Sequence, residues 1–282
     1  MKFFLTGLGN LAENTEYIIS SVVEADHLGL DGALMPDHYM WGQEIGHSMK
    51  NPYNTLETWT TLTYLAGKTK RISLGTLVTP LGLRHPGMLA KMLSTLDNLS
   101  GGRVVLGVGA GWSQVEFKGY SEWLEKLDRV DKTSEALDVI LKLWTEPKVT
   151  HFGKFYKLED AVLEPKPIQK PYPRLLFGSQ GRKMLNMTGR YGNICFIPPW
   201  AGPKTGEIME AVRATARKVE RLDKISFMLG DMDSQSYDSK QYSKRIEDAV
   251  KLGASYYAVA FPRGNLSSMK LFTDEVMPSY QT

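Results

Sequence analysis

The segment from Arg71 to Gly111 constrains the fold of this chain more than any other part of it. Apolar, β-branched strands are predicted at Ile72 to Val78 and Val104 to Val108, and an amphipathic helix is predicted between them at Pro86 to Leu99. Strand, helix and strand in this order form a βαβ unit, which places two parallel strands in a sheet covered by helices. Ligands bind at the carboxyl ends of such strands, so functional residues are expected there.

The rest of the chain continues the same alternation of strands and helices. Further strands are predicted at Lys2 to Thr6, Gly32 to Pro36, Arg174 to Phe177, Asn193 to Ile197, Ile225 to Leu229 and Ser255 to Phe261. About eight strands and eight helices indicate an α/β fold of the (β/α)8 barrel type rather than a doubly wound sheet. Residues 1–282 are long enough for one such barrel domain. A short β-hairpin excursion is predicted at Thr150 to Leu158, and the stretch after Gly111 is predicted to be irregular until a helix at Asp128 to Trp144.

Composition excludes several classes of protein. The net charge of +3 is too small to indicate nucleic acid or an anionic membrane as a partner. The single cysteine, Cys195, excludes an internal disulfide, and no HExxH motif or histidine cluster predicts a metal site. The beginning of the chain, MKFFLTGLGN, has too few apolar residues for the apolar region of a signal sequence. No apolar run of about 18 residues, the length of a membrane-spanning helix, occurs in the sequence. A cytoplasmic protein is therefore expected.

Candidate catalytic residues follow the second predicted strand. A histidine side chain can transfer a proton near neutral pH or donate a hydrogen bond to a reacting carbonyl, which makes His38 a candidate catalytic residue. Asp37 beside it can orient the imidazole ring. The same two residues also fit a turn cap and a structural residue at the barrel rim, and both interpretations stay open.

Two glycine-rich loops are candidate binding sites. Gly107, Gly109 and Gly111 allow close approach to a ligand, but no helix opens directly after them, which argues against a dinucleotide fingerprint. The loop from Gly178 to Lys183 lies between a strand and a helix N-terminus, where free N–H groups and the helix dipole favour phosphate. It fits an ordinary strand-to-helix turn equally well.

Aromatic residues are frequent in the predicted loops and suggest a pocket for a flat ligand. They are Tyr39, Trp41, Trp112, Trp123 and Trp200. A flat cofactor that carries a phosphate satisfies both these residues and the anion site.

Over nearly its whole length the chain resembles the bacterial luciferase-like superfamily of flavin- and deazaflavin-dependent (β/α)8 oxidoreductases. The similarity is densest in GTLVTP, RHP and LAKMLSTLDNLSGGRVVLGVGAGW between Thr76 and Trp112, and it extends through the FGKFY hairpin and the Pro165-Lys166-Pro167 connector. Within the superfamily the chain is most similar to the coenzyme F-420-dependent oxidoreductases. The resemblance implies a deazaflavin cofactor and commonly a homodimer.

The resemblance also implies the positions of site residues. Leu77-Val78 falls where the family has a non-prolyl cis peptide bond in a bulge behind the cofactor ring, next to Thr76. Asp37 and His38 match the catalytic pair at the rim, and Trp41 lies one residue closer than the family's active-site tryptophan. The cofactor-binding loops correspond to Gly109, Ala110, Gly111 and Trp112 over the ring and to Gly178, Ser179, Gln180 and Gly181 at the phosphate.

The chain departs from the sugar-phosphate dehydrogenases of this family at one catalytic position. Trp112 stands where those enzymes have a glutamate, and the nearest acid is Glu116. The main hypothesis is hydride transfer between a deazaflavin and a small organic substrate, with His38 moving the accompanying proton. One alternative is a luciferase-like monooxygenase that uses FMN, and another is a cofactor-binding protein without turnover. No catalytic lysine or set of metal ligands is found at the predicted strand ends, which argues against a hydrolase or an aldolase.

Overall fold

The computed structural model describes residues 1–43, 49–178 and 180–281. Eight parallel strands close into a barrel in the order β3-β2-β1-β11-β10-β9-β8-β5, and β5 pairs with β3 to complete the ring. These strands are β1 (Lys2–Leu5), β2 (Gly32–Met35), β3 (Ser73–Thr76), β5 (Val104–Gly109), β8 (Arg174–Phe177), β9 (Ile194–Phe196), β10 (Ser226–Gly230) and β11 (Tyr256–Val259). The predicted (β/α)8 barrel is confirmed.

Helices surround the barrel, and a hairpin lies outside it. The helices are α1 (Thr15–His27), α2 (Thr58–Lys68), α3 (Pro86–Ser100), α4 (Gln114–Tyr120), α5 (Lys126–Thr145), α6 (Arg182–Tyr191), α7 (Thr205–Lys218), α8 (Ser239–Lys251) and α9 (Leu266–Glu275). The antiparallel hairpin consists of β6 (Val149–Phe152) and β7 (Lys157–Ala161), at the position predicted. None of the helices within the described ranges is long and apolar enough to span a membrane.

The interior of the barrel is filled by side chains that alternate along the strands. One buried cluster contains Phe4, Leu34, Val105, Leu176, Ile194, Phe196, Met228 and Ala258, all from barrel strands. The opposite faces of the strands pack against the helices in a second, larger cluster. Since successive side chains of a strand point to opposite faces, each strand supports both clusters. The interior is therefore a packed core, and a ligand site is left only at its ends.

A bulge interrupts the third strand at its carboxyl end. In β3, Leu74 pairs with Val104, 30 positions later, whereas Thr79 in the short strand β4 (Thr79–Pro80) pairs with Val108, 29 positions later. The segment from Leu74 to Thr79 therefore contains one residue more than the segment from Val104 to Val108 that it pairs with. Such an extra residue defines a β-bulge. The Leu77–Val78 peptide bond within it is cis. The bulge and cis bond expected from the resemblance are both present.

Glycines in β5 make room for this bulge. A Cβ atom at Gly107 would lie 1.9 Å from the carbonyl oxygen of Thr76, and one at Gly109 would lie 2.4 Å from a methyl carbon of Val78. Both distances are far below van der Waals contact. Part of the glycine pattern that suggested ligand binding is thus required by packing between neighbouring strands.

One short element was missed by the sequence analysis. The stretch after Gly111 was predicted to be irregular, but α4 occupies Gln114–Tyr120 within it. The sequence Ser113-Gln114-Val115-Glu116 has the spacing of a capping box, which marks a helix N-terminus. The Ser113 hydroxyl accepts a hydrogen bond from the Glu116 N–H at 3.4 Å. This signal was available in the sequence.

Asp26, near the end of α1, connects this helix to the start of β3. Its carboxylate accepts hydrogen bonds from the backbone N–H groups of Lys70, Arg71 and Ile72 at 2.8, 2.9 and 2.7 Å. Burial alone raises the pKa of Asp26, but these hydrogen bonds outweigh it, so the pKa lies below its usual value. The ionised form therefore stabilises the fold.

We expect Asp26→Asn to lower the free energy of unfolding by about 2–3 kcal/mol at pH 7, because hydrogen bonds to a charged acceptor are lost. A lowered folded-state pKa adds stability above the unfolded-state pKa of about 3.9, and this stability is lost as the pH falls through the folded-state value. The difference from wild type should thus be constant from pH 7 to 5 and shrink toward pH 3 in urea denaturation. Asp274→Asn, at an exposed position in α9, serves as the control. A difference that is the same at pH 3 and pH 7 would contradict this account.

Candidate functional site

A pocket of about 690 Å³ opens at the carboxyl ends of the barrel strands. Its lining includes most of the residues predicted for the site: His38, Trp41, Leu77, Val78, Gly109, Ala110, Gly111, Trp112, Gly178, Gln180 and Gly181. Ser179 lies outside the described residues. The volume is typical of sites for cofactors and other medium-sized ligands. The strand ends therefore form one continuous site.

The bulge forms the floor of this pocket. Leu77 and Val78 pack on the interior core of the barrel and also line the pocket. Gly109 and Gly178 approach Val78 from two sides, since a Cβ at Gly178 would lie 3.0 Å from its second methyl carbon. Val78 is thereby fixed between two strands, and the floor is apolar. Such a surface suits one face of a flat ring.

His38 lies at the side of the pocket and is paired with a carboxylate. Its Nδ1 atom lies 2.9 Å from Oε2 of Glu116, whose side chain is 1% exposed. The other carboxylate oxygen of Glu116 accepts a hydrogen bond from the Tyr39 N–H at 2.7 Å. The pairing assigns the proton of neutral His38 to Nδ1, so Nε2 has a free lone pair. This nitrogen can accept a proton from a ligand.

The capping box of α4 places Glu116 at this position. In an ordinary capping box the glutamate side chain turns back to the backbone N–H of the capping residue. Here the Ser113 hydroxyl still caps the helix, but the Glu116 carboxylate bonds to His38 and to the Tyr39 backbone. Glu116 also lines the pocket. Trp112 occupies the position where a glutamate was expected. The carboxylate at this site comes instead from Glu116, about one helical turn further along the chain.

Asp37, predicted to orient His38, makes different contacts. Its carboxylate is bonded to the Arg84 guanidinium at 2.6 and 3.1 Å and to the Thr79 hydroxyl at 2.8 Å. Arg84 also bonds to Glu57 at 2.6 Å. Asp37 is buried and is not among the residues that line the pocket. In this structure it supports the His38 loop from behind, and the carboxylate in contact with the imidazole is that of Glu116.

Thr76 is also placed differently from the prediction. It is fully buried beneath the bulge, where its hydroxyl accepts a hydrogen bond from the Gly107 N–H at 3.2 Å and contacts the Thr79 hydroxyl at 3.0 Å. It does not line the pocket. Thr76 therefore holds the two strands together at the bulge, and Leu77 and Val78 form the surface.

Groups suited to an anion lie at the other end of the pocket. Gly178, Gln180 and Gly181 lead into α6, and Gly181 is its N-cap residue, which has no side chain to occupy the first N–H groups. Arg129 lines the same pocket, and its buried Nε–H has no hydrogen-bond partner in the described part of the chain. A buried unpaired donor is costly unless a ligand satisfies it.

The basic residues near this loop differ in whether they line the pocket. Lys183 forms an ion pair with Asp131 at 2.8 Å and does not line the pocket. Lys126 and Arg129, from the start of α5, line it instead. The guanidinium of Arg129 stacks on Trp123 at 3.9 Å, which fixes its orientation. Sequence reasoning did not find these two residues, because they are about 50 positions from the loop that they face.

Tryptophans surround the position of His38. The His38 ring lies 4.2 Å from that of Trp41 and 5.4 Å from that of Trp112, centroid to centroid. The Trp41 indole N–H donates to the buried amide of Asn10 at 2.9 Å, so this ring is held in place. Trp112 and Trp200, at the rim, are 54% and 71% exposed. A flat ligand can enter between aromatic groups at this rim.

The site lies at the mouth of an α/β barrel and combines an apolar bulge as its floor, a buried histidine–carboxylate pair at its side and basic groups at its end, an arrangement whose shape and charge suit a flat, anionic ligand. The chain belongs to the luciferase-like monooxygenase family, whose model matches residues 2–254. The resemblance inferred from the sequence is thereby confirmed.

Curated relatives include both deazaflavin and flavin enzymes. An F-420-dependent glucose-6-phosphate dehydrogenase of Amycolatopsis mediterranei is 31% identical over 72% of this chain and 60% of its own length. An FMNH(2)-dependent dimethylsulfone monooxygenase of Pseudomonas putida is 31% identical over 53% of this chain and 39% of its own length. The chain thus spans less than two thirds of the length of these relatives.

Solved structures show the same fold at low sequence identity. An F-420-dependent secondary alcohol dehydrogenase in complex with an F-420–acetone adduct aligns with a TM-score of 0.85 at 19% identity, covering 100% of both chains. A long-chain alkane monooxygenase aligns with a TM-score of 0.82 at 13% identity, covering 99% of this chain and 90% of its own. These similarities agree with the barrel described above.

Proposed function

We propose that this protein is an oxidoreductase that binds a deazaflavin of the coenzyme F-420 type and transfers hydride between it and a small organic substrate. The observation that carries the proposal is the buried His38–Glu116 pair beside an apolar floor at Leu77 and Val78. It is supported by the F-420-dependent dehydrogenases among the relatives.

The pocket has a suitable group for each part of such a cofactor. Leu77 and Val78 would contact one face of the ring, and Gly109, Ala110, Gly111 and Trp112 would line its edge. The Gly178–Gly181 loop, with Lys126 and Arg129, would hold the phosphate through N–H groups and positive charge. The unpaired Nε–H of Arg129 is the observation that favours an anion at this position.

The side chains of this protein would accept and return the proton that accompanies hydride transfer. When bound, the cofactor supplies the hydride chemistry. For oxidation of an alcohol, Nε2 of His38 would accept the hydroxyl proton of the substrate. Glu116 holds the imidazole in the required tautomer and stabilises the positive charge that develops on it. For reduction of a carbonyl, the same atoms return the proton.

The proposal is tested by titrating the purified protein with coenzyme F-420 and with FMN, and by following the absorption of each chromophore. We expect the deazaflavin to bind more tightly than FMN. In Arg129→Gln, affinity for the phosphorylated deazaflavin should fall by about 10- to 100-fold, because a charge-assisted hydrogen bond is lost.

Affinity for the dephosphorylated deazaflavin should change little in the same variant, which separates loss of the anion site from general misfolding. Tighter binding of FMN would favour the monooxygenase alternative. Failure of both cofactors to bind would overturn the proposal. If the protein binds a cofactor but turns over no substrate, and substitution of His38 changes no rate, the alternative of a cofactor-binding protein without turnover is favoured.

We further propose that residues 1–282 act as one domain, in the cytoplasm and as a homodimer. The small net charge and the absence of a long apolar segment in the sequence support the location. Light scattering on the purified protein measures the number of subunits.

A further inference from the structure

A second pocket adjoins the first on the side away from the anion site. It has a volume of about 180 Å³ and lies at the carboxyl ends of β10, β11, β1 and β2. Four residues line both pockets: Pro36, Trp41, Leu77 and Met232. The two cavities are therefore neighbours that share a wall at the bulge and at Trp41.

The shared wall is rigid at Trp41. Asn10 is fully buried; its side-chain amide accepts the Trp41 indole N–H, and its NH₂ group donates to the carbonyl oxygen of His38 at 2.7 Å. The imidazole of His38 contacts the Trp41 ring in a tilted arrangement, and both residues line the large pocket. A molecule in the second pocket that extends along Trp41 thus reaches the region of His38.

The second pocket contains one cation and one carboxylate among its described lining residues. Arg263 is an exposed residue at the rim of this pocket, and within the described part of the chain its side chain has no hydrogen bond or ion pair. Its guanidinium lies close to the loop after β1. A Cβ atom added at Gly9 in this loop would be 3.8 Å from Nη2 of Arg263. Asp233 bonds instead to its own turn, through the Ser234 N–H at 2.9 Å and the Gln235 amide at 3.2 Å. Arg263 is therefore the group available for an anionic ligand.

The volume indicates which ligands fit entirely within this pocket, which is open and adjoins the large one. A cavity of about 150 Å³ holds benzene, which has six non-hydrogen atoms. A pocket of about 180 Å³ then holds about seven, whereas a hexose phosphate has more than twice as many. The space favours a short organic acid over a sugar phosphate.

We propose that this second pocket is the substrate subsite, and that it selects a small hydroxy or oxo acid whose carboxylate is bound by Arg263. This inference rests on the proposed function for the reaction itself. The carboxylate pairs with Arg263, and the carbinol carbon lies at the boundary of the two pockets. There its hydride passes to the cofactor and its hydroxyl proton to His38, which leaves the oxo acid as product.

The test compares 2-hydroxybutanoate with its uncharged amide, which has the same number of non-hydrogen atoms. Calorimetry measures the binding of each to the wild-type protein, first without cofactor and then loaded with coenzyme F-420. We expect the acid to bind roughly tenfold more tightly than the amide, because Arg263 adds a charge-assisted hydrogen bond. Arg263→Gln should abolish the preference, and Arg263→Lys should keep part of it.

Arg217→Gln provides the matched control, because Arg217 is an exposed arginine in α7 that pairs with Glu210. It should keep the full preference. Equal binding of acid and amide by the wild type, a preference that survives in Arg263→Gln, or tighter binding of glucose 6-phosphate than of the acid would each overturn the inference. Since the first measurement needs no cofactor, failure of the deazaflavin proposal is recognised separately, as failure to load.

Discussion

His38→Ala is expected to lower kcat by about 10²- to 10⁴-fold, the range that a positioned general acid or base contributes. The assay follows reduction of bound coenzyme F-420 by the secondary alcohol or hydroxy acid that the wild-type protein oxidises best. The Kd for the cofactor should stay within about threefold, because the anion site at Gly178, Gln180 and Arg129 is untouched. The effect is thus on the reaction step rather than on binding.

The Glu116→Gln variant provides a graded comparison. Glutamine has a single acceptor oxygen, which can still accept the Tyr39 N–H, so the loop should keep its position, but its NH₂ group then faces Nδ1 of His38. The negative charge that stabilises protonated His38 is lost, and a decrease in kcat of about 10- to 100-fold is expected. The double variant with His38→Ala should be no slower than His38→Ala alone, because Glu116 acts through the imidazole.

Added imidazole should restore part of the activity of His38→Ala, since the cavity left between Trp41 and Trp112 has the shape of the missing ring. It should restore nothing in Glu116→Gln. Unchanged kcat in His38→Ala would remove this residue from the mechanism. Loss of cofactor binding in the same variant would instead assign His38 to binding.

The sequence predicts the barrel well because each of its elements has a local signal. The boundaries predicted for the strand Arg174–Phe177 match those observed, and most others differ by one to three residues. Alternating apolar residues and glycine turns encode these elements within short windows. The strand order then follows, because parallel strands joined by helices are neighbours in a barrel.

Side-chain partners at the site were predicted less well, because they are determined by contacts between distant segments. Asp37 is adjacent to His38 in sequence, but adjacent side chains after a strand point in different directions. Glu116 is 78 positions from His38, and only the packing of α4 against the loop after β2 brings it within 2.9 Å. Trp112, at the position of the expected glutamate, contacts the imidazole with its ring edge.

The network behind His38 is the second feature with a large expected effect. Arg84→Met should lower the free energy of unfolding by about 3–5 kcal/mol at pH 7, because the Asp37 carboxylate is then buried without a counter-charge. For a chain of this length that corresponds to a decrease in Tm of roughly 10 °C. Thermal unfolding followed by circular dichroism measures it.

The pH dependence of this loss distinguishes a buried charge from a simple packing defect. Burial raises the pKa of Asp37, and the charge and hydrogen bonds of Arg84 oppose that shift. In Arg84→Met the pKa of Asp37 rises further, so the folded protein binds a proton more readily than the unfolded chain. Stability then falls as the pH rises through the folded-state pKa, and the difference from wild type should shrink on acidification.

Asp37→Asn in the Arg84→Met background removes the buried charge but keeps an acceptor for the Thr79 hydroxyl. We therefore expect it to recover a large part of the lost stability at pH 7 and to remove the pH dependence. If the double variant is as unstable as Arg84→Met at every pH, the loss comes from the packing of Arg84 against Tyr39 and not from the charge of Asp37. Recovery would establish that Arg84 stabilises the fold by neutralising the buried carboxylate of Asp37.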